Sequence, residues 1–315
     1  ITDYIVLFTK QDLSINRFDG LTVTYDNEVI IDSVANNIHR IMITENNQTT
    51  LRNMSFDGVN NTYFDLPEGS KFNHKWGFRH FQNLMFISDY DIGLDTGSYS
   101  YPERGTTGGS FVFKSEDNGY TFNKVFVFGD WSNVVNSENI TDYFKPQAHI
   151  HGVHYDIYNG RLWVITGDGA VHPDNTSLFW SDDLGQTWRH QRSTIVDTGG
   201  RTQLVNAVSF NNCILFGSDA SNVNGLTRVS KNTRLDINQE VAFDDRENDT
   251  GLYGYARNFS QREGQPTYIS FGKNASTSFG YNNDSTVRSY ILATYDGFNI
   301  YKVYEDTTGD ASGAV

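Results

Sequence analysis

Three aspartates, Asp89, Asp168 and Asp219, each close a short apolar run: Met85-Phe86-Ile87-Ser88-Asp89, Val164-Ile165-Thr166-Gly167-Asp168 and Leu215-Phe216-Gly217-Ser218-Asp219. Such carboxylates can accept hydrogen bonds from hydroxyls or hold an ion. Taken in pairs at a suitable separation, they can be the two carboxyl groups of a glycosidase. An aspartate after a strand also caps loop backbone, so residue type alone leaves these roles open. His149, His151 and His154 form the densest histidine cluster. In a strand, alternate residues share a face, so His149 and His151 converge and His154 points away. One strand then supplies two metal ligands at most, and Asp168 or His172 would have to complete a site for a borderline or hard divalent ion. The expectation is hydrogen-bonding histidines and no cofactor, with a divalent ion on His149, His151 and Asp168 as the alternative. Trp76 and Trp131 could stack on a sugar ring or pack in the interior. Trp163, Trp180 and Trp188 read as core.

These residues need elements to hold them, and two short segments show what those elements are. Ser115-Glu-Asp117-Asn-Gly119-Tyr-Thr121-Phe122 and Ser181-Asp-Asp183-Leu-Gly185-Gln-Thr187-Trp188 both read S-x-D-x-G-x-T-aromatic. Each follows an apolar strand, Phe111 to Phe113 and Leu178 to Trp180. The pattern predicts a hairpin: the aspartate caps turn amides, glycine takes a positive φ, and threonine plus the aromatic restart the next strand. The pattern resembles the Asp-box of sialidase-like β-propellers. That resemblance implies a structural role for Ser115, Asp117, Gly119, Thr121, Ser181, Asp183, Gly185 and Thr187, and names no reaction.

Four further segments align as strand, turn, strand: Trp76 to Asp89, His151 to Asp168, Leu204 to Asp219 and Leu252 to Phe271. Each is followed by a second hairpin. The first two of these carry the boxes. The third, Leu226 to Val241, has lost it, and the fourth keeps a shortened form around Asp296-Gly297. A matching Asp19-Gly20 stands in the early segment Leu13 to Tyr25. The repeat is a four-stranded antiparallel meander of about 50–60 residues, a propeller blade. The predicted fold is therefore an all-β propeller of five blades, with six as the alternative, over residues 1–306. Blades are expected partly within 1–70, then at about 71–130, 147–195, 200–243 and 250–306. In the first 70 residues the expected strands are Tyr4 to Phe8, Leu13 to Phe18, Leu21 to Tyr25, Ile38 to Thr44 and Leu51 to Phe56. Residues 307–315 are small and polar and read as a linker or tail.

In such a blade the start of the first strand and the end of the second share one edge, and the boxed turn lies on the other. Propeller clefts open on the first edge. It is predicted to carry Trp76, Asp89, His149, His151, Asp168 and Asp219 as ligand contacts, with Trp131 from a loop. Gln147, His172, His74, Asp91, Arg201 and Gln203 belong to the same edge.

Composition bounds the partners. With 18 Tyr, 22 Phe and 28 Gly but only 5 Pro, the chain suits many short strands and tight turns. A net charge of −14 repels phosphate backbones, so nucleic acid is not expected. The same charge weighs against polyanionic glycans unless a local basic funnel overrides it. No apolar run reaches about 18 residues, so no membrane span is expected, and no signal peptide is visible at Ile1. Cys213, the one cysteine, sits in an apolar strand and reads as a small buried hydrophobe. The Asn-x-Ser/Thr triplets would be glycosylation sites in a secreted eukaryotic protein; with no signal peptide visible they carry no weight.

The segments Pro146 to Asp156 and Gly160 to Asp168 resemble sialidase-like propellers of bacteria and their phages. The chain as a whole is similar to the propeller platform of receptor-binding proteins, or tail fibres, of phages that infect Gram-positive bacteria. The resemblance implies a homotrimer in the virion tail that binds a bacterial surface glycan such as teichoic acid; a secreted or cell-surface bacterial protein is the alternative location. It does not imply a sialidase. The arginine-bearing F/Y-R-I-P segment of those enzymes is not matched by Asn16-Arg17-Phe18-Asp19, and nothing groups Arg79, Arg201 and Arg257 as a carboxylate clamp. The expected function is glycan binding without catalysis. The alternative is a glycoside hydrolase using two of Asp89, Asp168 and Asp219.

Overall fold

The computed structural model describes residues 14–16, 22–24, 29–35, 38–45, 48–55, 61–65, 77–88, 111–117, 119–128, 130–135, 149–167, 177–192, 196–197, 200–201, 204–218, 226–231, 238–243, 254–261, 264–273 and 290–305. They are all-β, in antiparallel sheets. Two compact units meet in sequence at Asp130 and Trp131.

The first unit, Ile1–Asp130, opens with a short hairpin of β1 (Ser14–Asn16) and β2 (Thr22–Thr24). A four-stranded sheet follows in simple order: β3 (Val29–Ala35), β4 (Ile38–Glu45), β5 (Gln48–Ser55) and β6 (Asn61–Asp65). The next sheet is β7 (Phe78–Phe81), β8 (Leu84–Ser88), β9 (Phe111–Ser115) and β10 (Asn123–Val127). Its core is Met85, Ile87, Phe111 and Phe113, against which Phe64 of β6 and Phe122 pack. Phe64 stacks on Phe122 at 4.4 Å and meets Phe113 edge-on at 5.3 Å. β1 and β2 fall within the strands expected at Leu13 to Phe18 and Leu21 to Tyr25, while β3 and β6 have no counterpart in the sequence reading. The strand expected at Tyr4 to Phe8 lies outside the described residues.

The second unit, Trp131–Val315, holds three sheets of the same form. They are β11 (His149–Asp156), β12 (Arg161–Gly167), β13 (Ser177–Ser181) and β14 (Arg189–Arg192); then β17 (Leu204–Ser209), β18 (Cys213–Ser218), β19 (Leu226–Ser230) and β20 (Asn238–Phe243); then β21 (Gly254–Ser260), β22 (Thr267–Lys273), β23 (Tyr290–Thr294) and β24 (Tyr301–Glu305). A two-stranded ribbon, β15 (Val196–Asp197) with β16 (Gly200–Arg201), lies between the first two in sequence.

Alternation along β18 explains how the middle sheet is held. Ile214 and Phe216 join Trp163, Ile165, Leu178 and Trp180 of the preceding sheet in one core. Cys213 and Leu215 join Ile269, Phe271, Tyr290 and Leu292 of the following sheet in another. A strand buried on both faces must be a continuous apolar run rather than an alternating one, and Cys-Ile-Leu-Phe is such a run.

The turn after β23 closes tightly on this second core. Gly297 has φ +77°, and a methyl group there would meet Cys213 Sγ at 2.5 Å and Phe210 at 2.8 Å. Gly264 also has a positive φ (+72°), but nothing stands within 4 Å of its missing Cβ. Gly264→Ala is expected to cost about 1–2 kcal/mol from backbone strain alone. Gly297→Ala should cost more, by a further 1–3 kcal/mol or so for the overpacked contact. Urea denaturation of the two variants checks the order; equal losses would mean that the Gly297 contact relaxes without cost.

Candidate functional site

Apart from Trp131, the residues nominated for a ligand lie in sequence beside the start of a first strand or the end of a second one. Asp89, Asp168 and Asp219 each come one position after the last residue of a second strand: Ser88 of β8, Gly167 of β12 and Ser218 of β18. Those three aspartates lie outside the described residues, as do Trp76, His74, Asp91, Gln147, His172 and Gln203. His149 is the first residue of β11 and pairs with Gly167. Arg201 closes β16, paired with Val196.

Each described first strand of the second unit has a register shift, near this edge in β11 and β17 and mid-strand in β21. The register of β11 against β12 shifts between Ile150 and Gly152. That of β17 against β18 shifts between Leu204 and Ala207, and that of β21 against β22 between Ala256 and Arg257's neighbour Asn258. Bulges concentrate where a side chain must be re-aimed or a pairing ended. The residues inside the shifts include His151, Asn206 and Arg257.

At β11 the shift changes the expected orientations. Counting alternate residues turns His154 away from His151, but the extra residue at the bulge reverses the parity beyond it. Both rings reach the next sheet. His151 is 1% exposed, with Nδ1 2.8 Å from the carbonyl oxygen of Leu204. A carbonyl only accepts, so Nδ1 carries the proton. His154 Nε2 lies 2.7 Å from Ser209 Oγ. These two histidines therefore fasten β11 to both ends of β17. Among the described residues, no three His, Cys, Asp or Glu side chains stand close enough to hold a metal ion.

Trp131 is also engaged in packing. Its ring stacks on Phe179 at 5.5 Å with an interplanar angle of 3°. Its loop is tied to the start of β14: Val134 forms a parallel bridge with Trp188, the Trp188 N–H donates to Asn133 O at 2.9 Å, and the Val135 N–H donates to Trp188 O at 2.8 Å. The loop thus adjoins the turn edge, opposite the edge that carries His149.

On that opposite edge the two repeated turns have the same network. Asp117 Oδ1 accepts from the N–H groups of Tyr120 (3.0 Å) and Thr121 (2.9 Å), and Oδ2 accepts from the Thr121 hydroxyl at 2.6 Å. Ser115 Oγ donates to Asp117 at 2.7 Å and accepts from Gly119 N–H at 2.8 Å. In the second copy Asp183 accepts from Thr187 N–H at 2.9 Å and its hydroxyl at 2.6 Å, and Ser181 accepts from Gly185 N–H at 2.7 Å. Gly119 and Gly185 have φ of 86° and 95°. The turn after β23 is a variant: Asp296 caps Phe298 and Asn299, both at 2.8 Å, and Asn299 Nδ2 replaces the threonine hydroxyl at 2.7 Å. Burial pushes the Asp117 carboxyl up, but the hydrogen bonds from Thr121, Ser115 and Tyr120 outweigh it and lower it to about 2. Asp183 and Asp296 are lowered by the same balance.

The turn after β19, which lacks the pattern, is fastened by an ion pair that the sequence reading missed. Lys231 Nζ donates to Asp156 Oδ1 at 2.8 Å, across two sheets, with side-chain exposures of 6% and 1%. It also donates to Phe210 O and lies 4.9 Å from the Tyr158 ring centroid. Asp156 further accepts from Tyr158 N–H and Asn159 Nδ2, both at 3.1 Å. Burial lowers the Lys231 amine, and the Asp156 carboxylate opposes that shift. Every partner here is a turn group of the protein, so the pair reads as a fastening rather than a reaction centre. Asp156-Ile157-Tyr158-Asn159-Gly160 shows the turn in sequence, but its partner lies 75 residues away, which no local pattern reveals.

These turns generate three predictions. Asp156→Ala strands a buried ammonium and is expected to cost about 3–5 kcal/mol, whereas Asp156→Leu combined with Lys231→Met should cost far less than the two single changes summed. Additive losses in a double-mutant cycle would show that the pair is not coupled. Asp183→Ala should cost about 0.5–2 kcal/mol by loss of the cap. A carboxylate lowered in the folded state adds stability that is complete above the usual aspartate range and lost as pH falls through its folded value. The stability gap between the parent and Asp117→Asn, followed by thermal unfolding, should therefore close on approaching pH 2.

No protein-family model matches the chain, and no curated protein matches it. Solved structures do resemble it. A protein from Lactobacillus plantarum is 13% identical with a TM-score of 0.52, over 92% of this chain and 74% of that one. A 6-phosphogluconolactonase-like protein from Bacteroides fragilis is 10% identical with a TM-score of 0.50, over 96% of this chain and 81% of that one. At such identities the likeness is one of fold alone. The solved structures it resembles are β-propeller-like, which supports a propeller fold for this all-β chain.

Proposed function

We propose that the chain is a five-bladed propeller of the Asp-box, sialidase-like type. We further propose that it serves as the glycan-binding platform of a phage receptor-binding protein, placed in the virion tail and attached to a bacterial cell-wall glycan. Five four-stranded sheets occur among the described residues, which supports the blade count. One observation carries the functional part. The first strands β11 and β17 break register near the edge where β12 and β18 run toward Asp168 and Asp219. The turns at the opposite edge spend their carboxylates on their own backbone. The polar groups available for a ligand are thus those of the irregular edge.

The assigned contacts are Trp76, Asp89, His149, Asp168 and Asp219, with His151 orienting the wall behind them. Trp131, stacked on Phe179, drops from the set. The chemistry is modest: carboxylates and a neutral imidazole exchange hydrogen bonds with sugar hydroxyls, and an indole face covers the apolar side of a pyranose. A single site of this kind binds at about 0.1–1 mM, because few sugar atoms are buried per contact. A homotrimer, repeated on a particle, turns this into firm attachment.

Cell-wall pull-down of folded protein tests the reading. Oligomeric protein should bind Gram-positive cell walls and monomer poorly. Asp168→Ala should abolish binding without unfolding, and no sugar should be released on long incubation. Steady release of oligosaccharide, lost in Asp168→Asn or Asp89→Asn, would overturn it in favour of a glycoside hydrolase. Treatment with EDTA should leave melting temperature and binding unchanged. A loss restored by one divalent ion would instead make His149, His151 and Asp168 metal ligands.

A further inference from the structure

We draw no further inference here: the strongest candidate, the outward face of the β21–β24 sheet where exposed Tyr268 and Tyr301 flank the paired Ala293, is an unpartnered sheet face, and nothing in the structure shows what covers it.

Discussion

A sheet packed on both faces has no side to give to water, and that constraint shapes the second unit. Side chains along a strand alternate between faces, so the β17–β20 sheet must be apolar at successive positions if it is to hold a neighbour on each side. Ile214 and Phe216 serve one core while Cys213 and Leu215 serve the other. Polar residues within that sheet must then find partners inside it, as Arg228 of β19 does with Glu240 of β20. The capped turns lie at strand ends, where the backbone leaves the sheet ladder and its N–H groups need side-chain acceptors.

The turn edge is held together by two different devices. At the turn edge, backbone N–H groups are satisfied by short side chains a few residues away, as Asp117 and Asp183 do. Where that local solution is missing, after β19, a long-range one takes over, and Lys231 crosses to Asp156. The two devices differ in cost. A turn cap is partly solvated and modest, while a buried ion pair gains little net stability and is expensive to break on one side only. The pair fixes which turn lies beside which more than it adds to stability.

Much of this was legible in the chain and some was not, for a physical reason in each case. The repeated Ser-x-Asp-x-Gly-x-Thr segments specify their turns because every donor and acceptor in them lies within four residues. The apolar runs at Leu204 to Ser209 and Cys213 to Ser218 show as strands because both faces are buried. Asn206 interrupts its apolar run and makes a local bond: its Oδ1 accepts from Ala207 N–H at 2.9 Å. The bulge at His151 was illegible, since an added residue leaves no mark on composition, yet it decides which way His154 points. Trp131 stays open between sugar stacking and packing in the sequence, because its stacking partner, Phe179, is far from it along the chain. The reach of Lys231 to Asp156 and the bidentate grip of Arg161 on Asp182, at 2.7 and 3.1 Å, depend on tertiary placement that spacing does not encode.

The contact between Gly297 and Cys213 makes the chain's one thiol a reporter. Cys213 is fully buried, and burial raises its thiol to about 11 despite the nearby Arg228 and Lys231. A thiol held neutral and covered reacts with an alkylating reagent only when its cover lifts. Labelling kinetics at Cys213 would therefore count the openings between the β17–β20 and β21–β24 sheets directly, as an exchange clock set at that one interface.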